Sequence, residues 1–262
     1  MRRAWWPAVV LVVGAASPTA MAADLAEVKA RGAVRVIIAA EEAPETFSFT
    51  AGPKPGFERE IMERFAQLQG LRVEVVRAAG YADRIPMLLR GEGDVIAAIF
   101  DTPDRRQKVA FTTEVIPTHN VAVTVAPEPP VRTVEELRAG KVGVIRGAKP
   151  AEAAAEAGVR ARDLVPYDSI DALVRGLKQR EVRVAVLPVS ELALVSRRVE
   201  GLSAGLTVGA PGTVAWAVRK EDAALLAAFD EFIVHFRRGP SWSRLVVEYF
   251  GDQALAVLGR AR

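Results

Sequence analysis

GEGDVIAAIFDTPDRRQKVAFT, residues 91–112, is the stretch on which the reading of the fold turns. Asp94 to Phe100 is a short apolar run, the pattern of a buried strand. Asp101-Thr102-Pro103 is a helix-start signal, a capping side chain followed by proline at the first helical position. Arg105, Arg106 and Lys108 then fall in or near the first turn. A strand that runs into a capped helix start exposes free backbone N–H groups at the sheet edge. An arginine added there makes a site for a small carboxylate or phosphate. By itself the same pattern also describes an ordinary strand-to-helix turn with solvated basic residues.

Working outward, Asp24 to Arg31 reads as a short helix and Ala33 to Ala40 as a β-branched strand. Gly56 opens a helix with Phe57, Ile61, Phe65 and Leu68 on one face, and Gly70 ends it. Leu71 to Val76 is a strand, and Tyr81 to Arg90 a helix with Ile85, Leu88 and Leu89 inward. The order β-α-β-α-β up to Ile99 points to a mostly parallel sheet with helices on its faces. From Val115 to Val131 the prolines and the VAVTV run read as a crossing strand and a connection. A second α/β set follows. Thr133 to Glu136 is a capping box, Lys141 to Ile145 a strand and Gly147 to Ala157 a helix. Then come strand Leu164 to Tyr167, helix Ser169 to Leu177, strand Val182 to Leu187 and helix Ser190 to Arg197. Thr213 to Val218 reads as a returning strand. A helix with Leu225, Phe229, Phe232 and Phe236 on one face and another over Trp242 to Phe250 close the chain. Two such sets joined by two crossing segments imply a cleft between them, where small-ligand sites favour the carboxyl ends of parallel strands.

Length and composition limit the function. The chain has 262 residues, half of them hydrophobic, enough for one or two domains with a sizeable core. Met1 to Ala22 has a charged start at Arg2 and Arg3, an apolar core over Trp5 to Ala16, and a small-residue site at Ala20-Met21-Ala22. That is the pattern of a cleaved signal peptide. Without Arg2 and Arg3 the formal charge of +3 drops by two to +1, which is not the balance of a nucleic-acid binder. The chain has no cysteine, which excludes disulfides, a cysteine nucleophile, thiolate zinc sites and a lipidated cysteine anchor. The expected location is the bacterial periplasm. No metal site or cofactor is expected. His119 and His235 lie far apart in sequence and read as structural or surface residues.

Five segments resemble, in order, the signatures of the family 3 extracellular solute-binding proteins of the polar-amino-acid type. PETFSFTAGPKPGFEREI is similar to PPFxF…GFDxDL, and YADRIPMLLRGEGDVIAAI to W-x-x-L-I-P-x-L-x-x-G-x-x-D-V. TPDRRQKVAFTTEVIPT is similar to T-P-E-R-x-x-x-V-x-F-S-x-P-Y. VEELRAGKVGVIRG and AWAVRKEDAALLAAFDEF match L-x-G-K-x-V-G-V-x-x-G and G-x-A-V-x-K-x-x-x-x-L. The resemblance implies a two-lobed α/β periplasmic-binding-protein fold of type II, each lobe a mostly parallel sheet flanked by helices, joined by two crossing strands. Residues 1–22 would be the signal peptide, 23–116 with 217–262 lobe one, and 117–216 lobe two.

The resemblance further implies that Arg105, with Arg106 as its alternative, binds the ligand's α-carboxylate. Tyr81 falls where an aromatic ring stacks on the ligand, and Glu41 near a polar contact of the first loop. Asp101, Thr102 and Lys149 complete the expected ligand set. The departures bear on the ligand. Phe100 stands where the family has a threonine, and Gly147-Ala148-Lys149 replaces a hydroxyl-bearing helix start. Pro188 stands where an aspartate holds the ligand's ammonium group. Either Glu41 or Asp101 supplies that carboxylate, or the ligand is not an ordinary α-amino acid.

The expected function is therefore a monomeric, non-enzymatic receptor that closes around a small carboxylate-bearing ligand and presents it to an ABC-type permease. One alternative is a non-transport accessory or sensor-input protein of the same fold. A second is a cleft dehydratase of carboxylated rings, with Glu41, Asp101 or Glu191 as proton donor.

Overall fold

The structure, a computed structural model, describes residues 24–50, 52–197, 199–251 and 254–255. The expected signal peptide lies outside the described residues. The first half of the chain forms α1 (Leu25–Arg31), β1 (Ala33–Ala39), α2 (Pro44–Phe47), α3 (Phe57–Gln69) and β2 (Arg72–Ala78). A 3-10 turn at Tyr81–Asp83 leads into α4 (Arg84–Leu89), β3 (Val95–Phe100), α5 (Pro103–Arg106), β4 (Ala110–Phe111) and β5 (Ile116–Val125). Then follow α6 (Val134–Arg138), β6 (Val142–Ile145), α7 (Lys149–Glu156), β7 (Leu164–Tyr167), α8 (Ile170–Lys178), β8 (Val184–Pro188) and α9 (Val189–Val195). The chain closes with β9 (Leu202–Val218), α10 (Ala223–Arg238) and α11 (Pro240–Phe250). Among the described residues no helix is long and apolar enough to cross a membrane.

The strands form a sheet in the order β2-β1-β3-β9-β5-β8-β6-β7, with β4 paired to β9. β1 runs parallel to β2 and β3, and β6 parallel to β7 and β8. The crossing strands β5 and β9 are antiparallel to each other and to their neighbours. Two parallel blocks are thus joined through one antiparallel pair. Strand side chains alternate between faces. Val36 and Ile38 join a core with α3, α10 and α11, while Ile37 joins Leu88 and Ile96 on the other face. β9 does the same near its end: Trp216 enters the first core and Ala215 and Ala217 the second. Trp216, Phe65 and Phe229 are fully buried, with the Phe65 and Phe229 ring centroids 4.3 Å apart. Burying each such ring stabilises the fold by roughly 1.5–3 kcal/mol. In the other block, Val121, Val123 and Leu187 pack with α8 and α9, while Ala122, Val184 and Val186 pack with Leu137 and α7.

Three expectations need correction. β9 begins at Leu202, not near Thr213, because Gly205, Gly209, Pro211 and Gly212 are not a loop between strands. Gly205 lets β9 pass close to Val131, whose carbonyl accepts Leu206 N–H at 2.7 Å. Gly209 to Pro211 form a bulge: Thr118 pairs with Gly212 and Asn120 with Val208. Leu68 is 74% exposed, since the buried arc of α3 centres on Glu58, Met62 and Phe65 and Leu68 lies at its margin. Leu89 is also exposed, because the 3-10 turn before Arg84 shifts the phase of the short α4.

Candidate functional site

The ends of β3, β6 and β8 meet at one cleft, where Phe100, Ile145 and Pro188 form part of the wall. Helix starts supply the polar groups: Glu58 from α3, Arg84 from α4, Lys149 from α7 and Glu191 from α9. Arg105 of α5 enters from the same end of β3, and the crossing strands contribute Ile116 and Val214. Residues from both parallel blocks therefore face one space.

The local backbone explains how Arg84 is held. Ala98 has φ +50, a conformation unfavourable for a residue with a Cβ, and the β3–β9 register shifts between Ile96 and Ile99. This bulge leaves the carbonyls of Ala97 and Ala98 to accept from Arg84 Nη1, at 3.3 and 3.2 Å. Arg84 is 2% exposed, and its guanidinium lies over the Tyr81 ring, 4.9 Å from the centroid. The Tyr81 hydroxyl donates to Glu42 Oε1 at 3.1 Å, while Glu42 Oε2 is buried without a partner. Glu58 is similar: Oε2 accepts from the Trp216 indole N–H at 2.7 Å, and Oε1 is buried without a partner.

Burial sets the charges of these acids. It pushes Glu58 up to about 7, helped by the Glu42 charge and opposed by the Trp216 hydrogen bond. It pushes Glu191 up to about 8, again helped by Glu42 and opposed by Arg84. Glu42 is raised as well, mainly by burial, against the attraction of Arg84. Arg105 is held down to about 10, by burial first and then by the charge of Arg84.

Arg105 lines the cleft, with Nη1 donating to Phe100 O at 3.0 Å. Tyr81 lines it too, buried beside Arg84. Lys149 borders it, but its Nζ donates to Glu152 and Glu156, both at 3.1 Å. Thr102 caps α5, its hydroxyl accepting from Arg105 N–H at 3.3 Å. Asp101 is gripped by Arg106, whose Nε donates to it at 2.6 Å, and Arg106 itself points to solvent. Glu41 is exposed, and its neighbour Glu42 is the acid that turns inward.

Glu42, Glu58 and Arg84 lie outside the set expected from the sequence. Arg84 had a signal: it stands at the leucine of W-x-x-L-I-P, a charged residue at an apolar motif position. Glu191, expected inside a helix, occupies the first turn of α9, because that helix starts directly after Pro188. Among the described residues no group of His, Cys, Asp and Glu is arranged to hold a metal ion.

Comparison with known proteins agrees with this architecture. The chain is 25% identical over 255 residues to a membrane-bound lytic murein transglycosylase F of Stutzerimonas stutzeri, covering 94% of this chain and 52% of the relative. It therefore spans about half the length of that relative. It is also 25% identical over 215 residues to the amino-acid-binding protein AabA of Dichelobacter nodosus, covering 80% of this chain and 85% of AabA. The structure of holo ArgBP from T. maritima superposes with a TM-score of 0.73 at 23% identity, covering 87% of this chain and all, 100%, of that one. The sequence profile of the bacterial extracellular solute-binding proteins, family 3, matches residues 34–252. With a type II periplasmic-binding-protein fold and a match over most of its length, the chain belongs to the bacterial extracellular solute-binding proteins, family 3.

Proposed function

We propose that this chain is a periplasmic receptor that closes around a small carboxylate-bearing ligand, an amino acid or a relative of one, for uptake by an ABC-type permease. The observation that carries the reading is Arg105, a guanidinium in a largely apolar cleft at the start of α5. Such a group recognises a carboxylate through paired, charge-assisted hydrogen bonds. Closure would be a hinge motion at the crossing strands. Pro117 and Gly212 lie side by side there, paired with Thr213 and Thr118. Calorimetric titration with a carboxylate ligand tests it: Arg105→Ala is expected to abolish binding and leave the unfolding transition in place, whereas unchanged affinity refutes the assignment.

A second reading is a ligand-sensing module outside transport. Nearly the whole chain matches about half of a longer protein, a membrane-bound lytic murein transglycosylase F, whose name is not that of a transport protein. Permease and ATPase genes beside the gene for this chain favour transport, and their absence favours sensing. Of the three acids considered as dehydratase proton donors, only Glu191 lines the cleft. Incubation with a carboxylated cyclohexadiene, followed by absorbance, tests that activity.

A further inference from the structure

A second cavity adjoins the cleft at Phe100 and Lys149, which line both spaces. It encloses about 200 Å3, against about 50 Å3 for the cleft. Small-ligand sites run to roughly 300 Å3 or more, so most of the room for a ligand lies beyond that pair of side chains. Phe100 and Lys149 are also two of the positions at which the chain departs from the family's signatures. The second cavity is walled by the β3–α5 junction, by α7 and by the bulge of β9 around Ala210. Lys149 lies along the boundary: its Nζ donates to Glu156, which lines the second cavity.

The charges on the wall of this cavity are matched. Asp101 is held by Arg106, and Glu156 by Lys149. The unmatched atoms are neutral. Asn120 of β5 is 2% exposed and lines the cavity, and its Oδ1 is buried without a partner. Thr118 stands two residues earlier, on the same face of β5, and its Oγ1 is buried without a partner as well. A buried amide oxygen left unpaired costs stability that a donor would recover. A side-chain amide both donates and accepts, which makes it the complement of another amide. The cavity therefore suits a neutral amide better than a second charge.

We propose that this second cavity receives an amide group joined to the ligand's carboxylate-bearing carbon, so that the preferred ligand is a short peptide or an N-acylated amino acid. The amide N–H donates to Asn120 Oδ1, and the amide carbonyl accepts from the Asn120 side-chain nitrogen. Phe100 links the two ends of the site: its carbonyl accepts from Arg105 Nη1, and it lines both spaces. The proposal rests on the reading that Arg105 holds the ligand's carboxylate.

The test is a thermal-shift screen of the full chain with the common L-amino acids, their N-acetyl derivatives and the dipeptides that carry glycine before each of them. The tightest binder is then titrated calorimetrically beside the free amino acid with the same carboxyl-terminal residue. The acylated or dipeptide form is expected to bind at least about tenfold more tightly, the worth of one good hydrogen bond. Asn120→Ala should weaken that form by about tenfold while the protein keeps its unfolding transition. Ala210→Trp, at an exposed position of the bulge that walls the cavity, should block it by filling the space. Equal or tighter binding of the free amino acid, or unchanged affinity for the amide-bearing form in either folded variant, overturns this inference and leaves the Arg105 reading standing. Failure of every compound in the three sets to bind overturns both.

Discussion

At the residue scale, the cleft combines the Arg105 guanidinium with two acids, Glu58 and Glu191, whose ionisation burial opposes. If Arg105 holds a carboxylate as proposed, truncating it removes a pair of charge-assisted bonds, about 1.5–3 kcal/mol each, so affinity for a carboxylate should fall by more than about a hundredfold, which calorimetry reads as loss of binding. Arg84 has a different role. Arg84→Leu leaves the carbonyls of Ala97 and Ala98 without their donor and should cost about 1–3 kcal/mol of stability in chemical denaturation. Glu58 makes stability depend on pH. Its carboxyl sits near 7 in the folded protein against 4.5 for a solvated glutamate, so the folded state keeps a proton that the unfolded chain loses. That stability is complete below pH 4.5 and is lost as pH rises to about 7, in all about 3 kcal/mol. Glu58→Gln should flatten the slope when melting temperature is followed against pH. Arg105 is legible in the sequence because it stands in a helix-start motif beside the strand end. Glu42 is not, since nothing in Glu41-Glu42 says which side chain turns toward Tyr81. Arg84 escapes a sequence reading because its partners are carbonyls freed by a backbone bulge at Ala98, which no side-chain pattern announces.

At the element scale, strands with alternating or continuous apolar runs and helices with clear caps are readable to within a residue or two. Ser169 shows why: its hydroxyl accepts from Ala172 N–H at 3.0 Å, a local bond that needs no tertiary context. The long β9 is not readable, because its glycines and proline carry the signature of a turn. Their purpose is close approach and bulging against β5, which depends on a partner more than 70 residues earlier in the chain. Gly205→Ala tests this. A Cβ at Gly205 would lie 2.1 Å from Val131 O, so the strand must shift. Denaturant unfolding should show a loss of about 1–3 kcal/mol or more.

At the scale of the whole molecule, the order of elements is enough to expect two parallel blocks and a cleft, because right-handed β-α-β units leave few other arrangements. What faces that cleft is only partly legible. The two acids that line it, Glu58 and Glu191, come from separate segments, and their ionisation is opposed by burial and by the charge of the buried Glu42 rather than set by any one motif. If the two blocks close about the β5–β9 pair, a bound ligand should reduce the radius of gyration in small-angle scattering, and Arg105→Ala should abolish that compaction. The most direct test of the central claim is native mass spectrometry of the protein as purified from cells. The account predicts a bound small carboxylate that is absent from folded Arg105→Ala. Retention of the same molecule by that variant, or a bound molecule without a carboxylate, would contradict it.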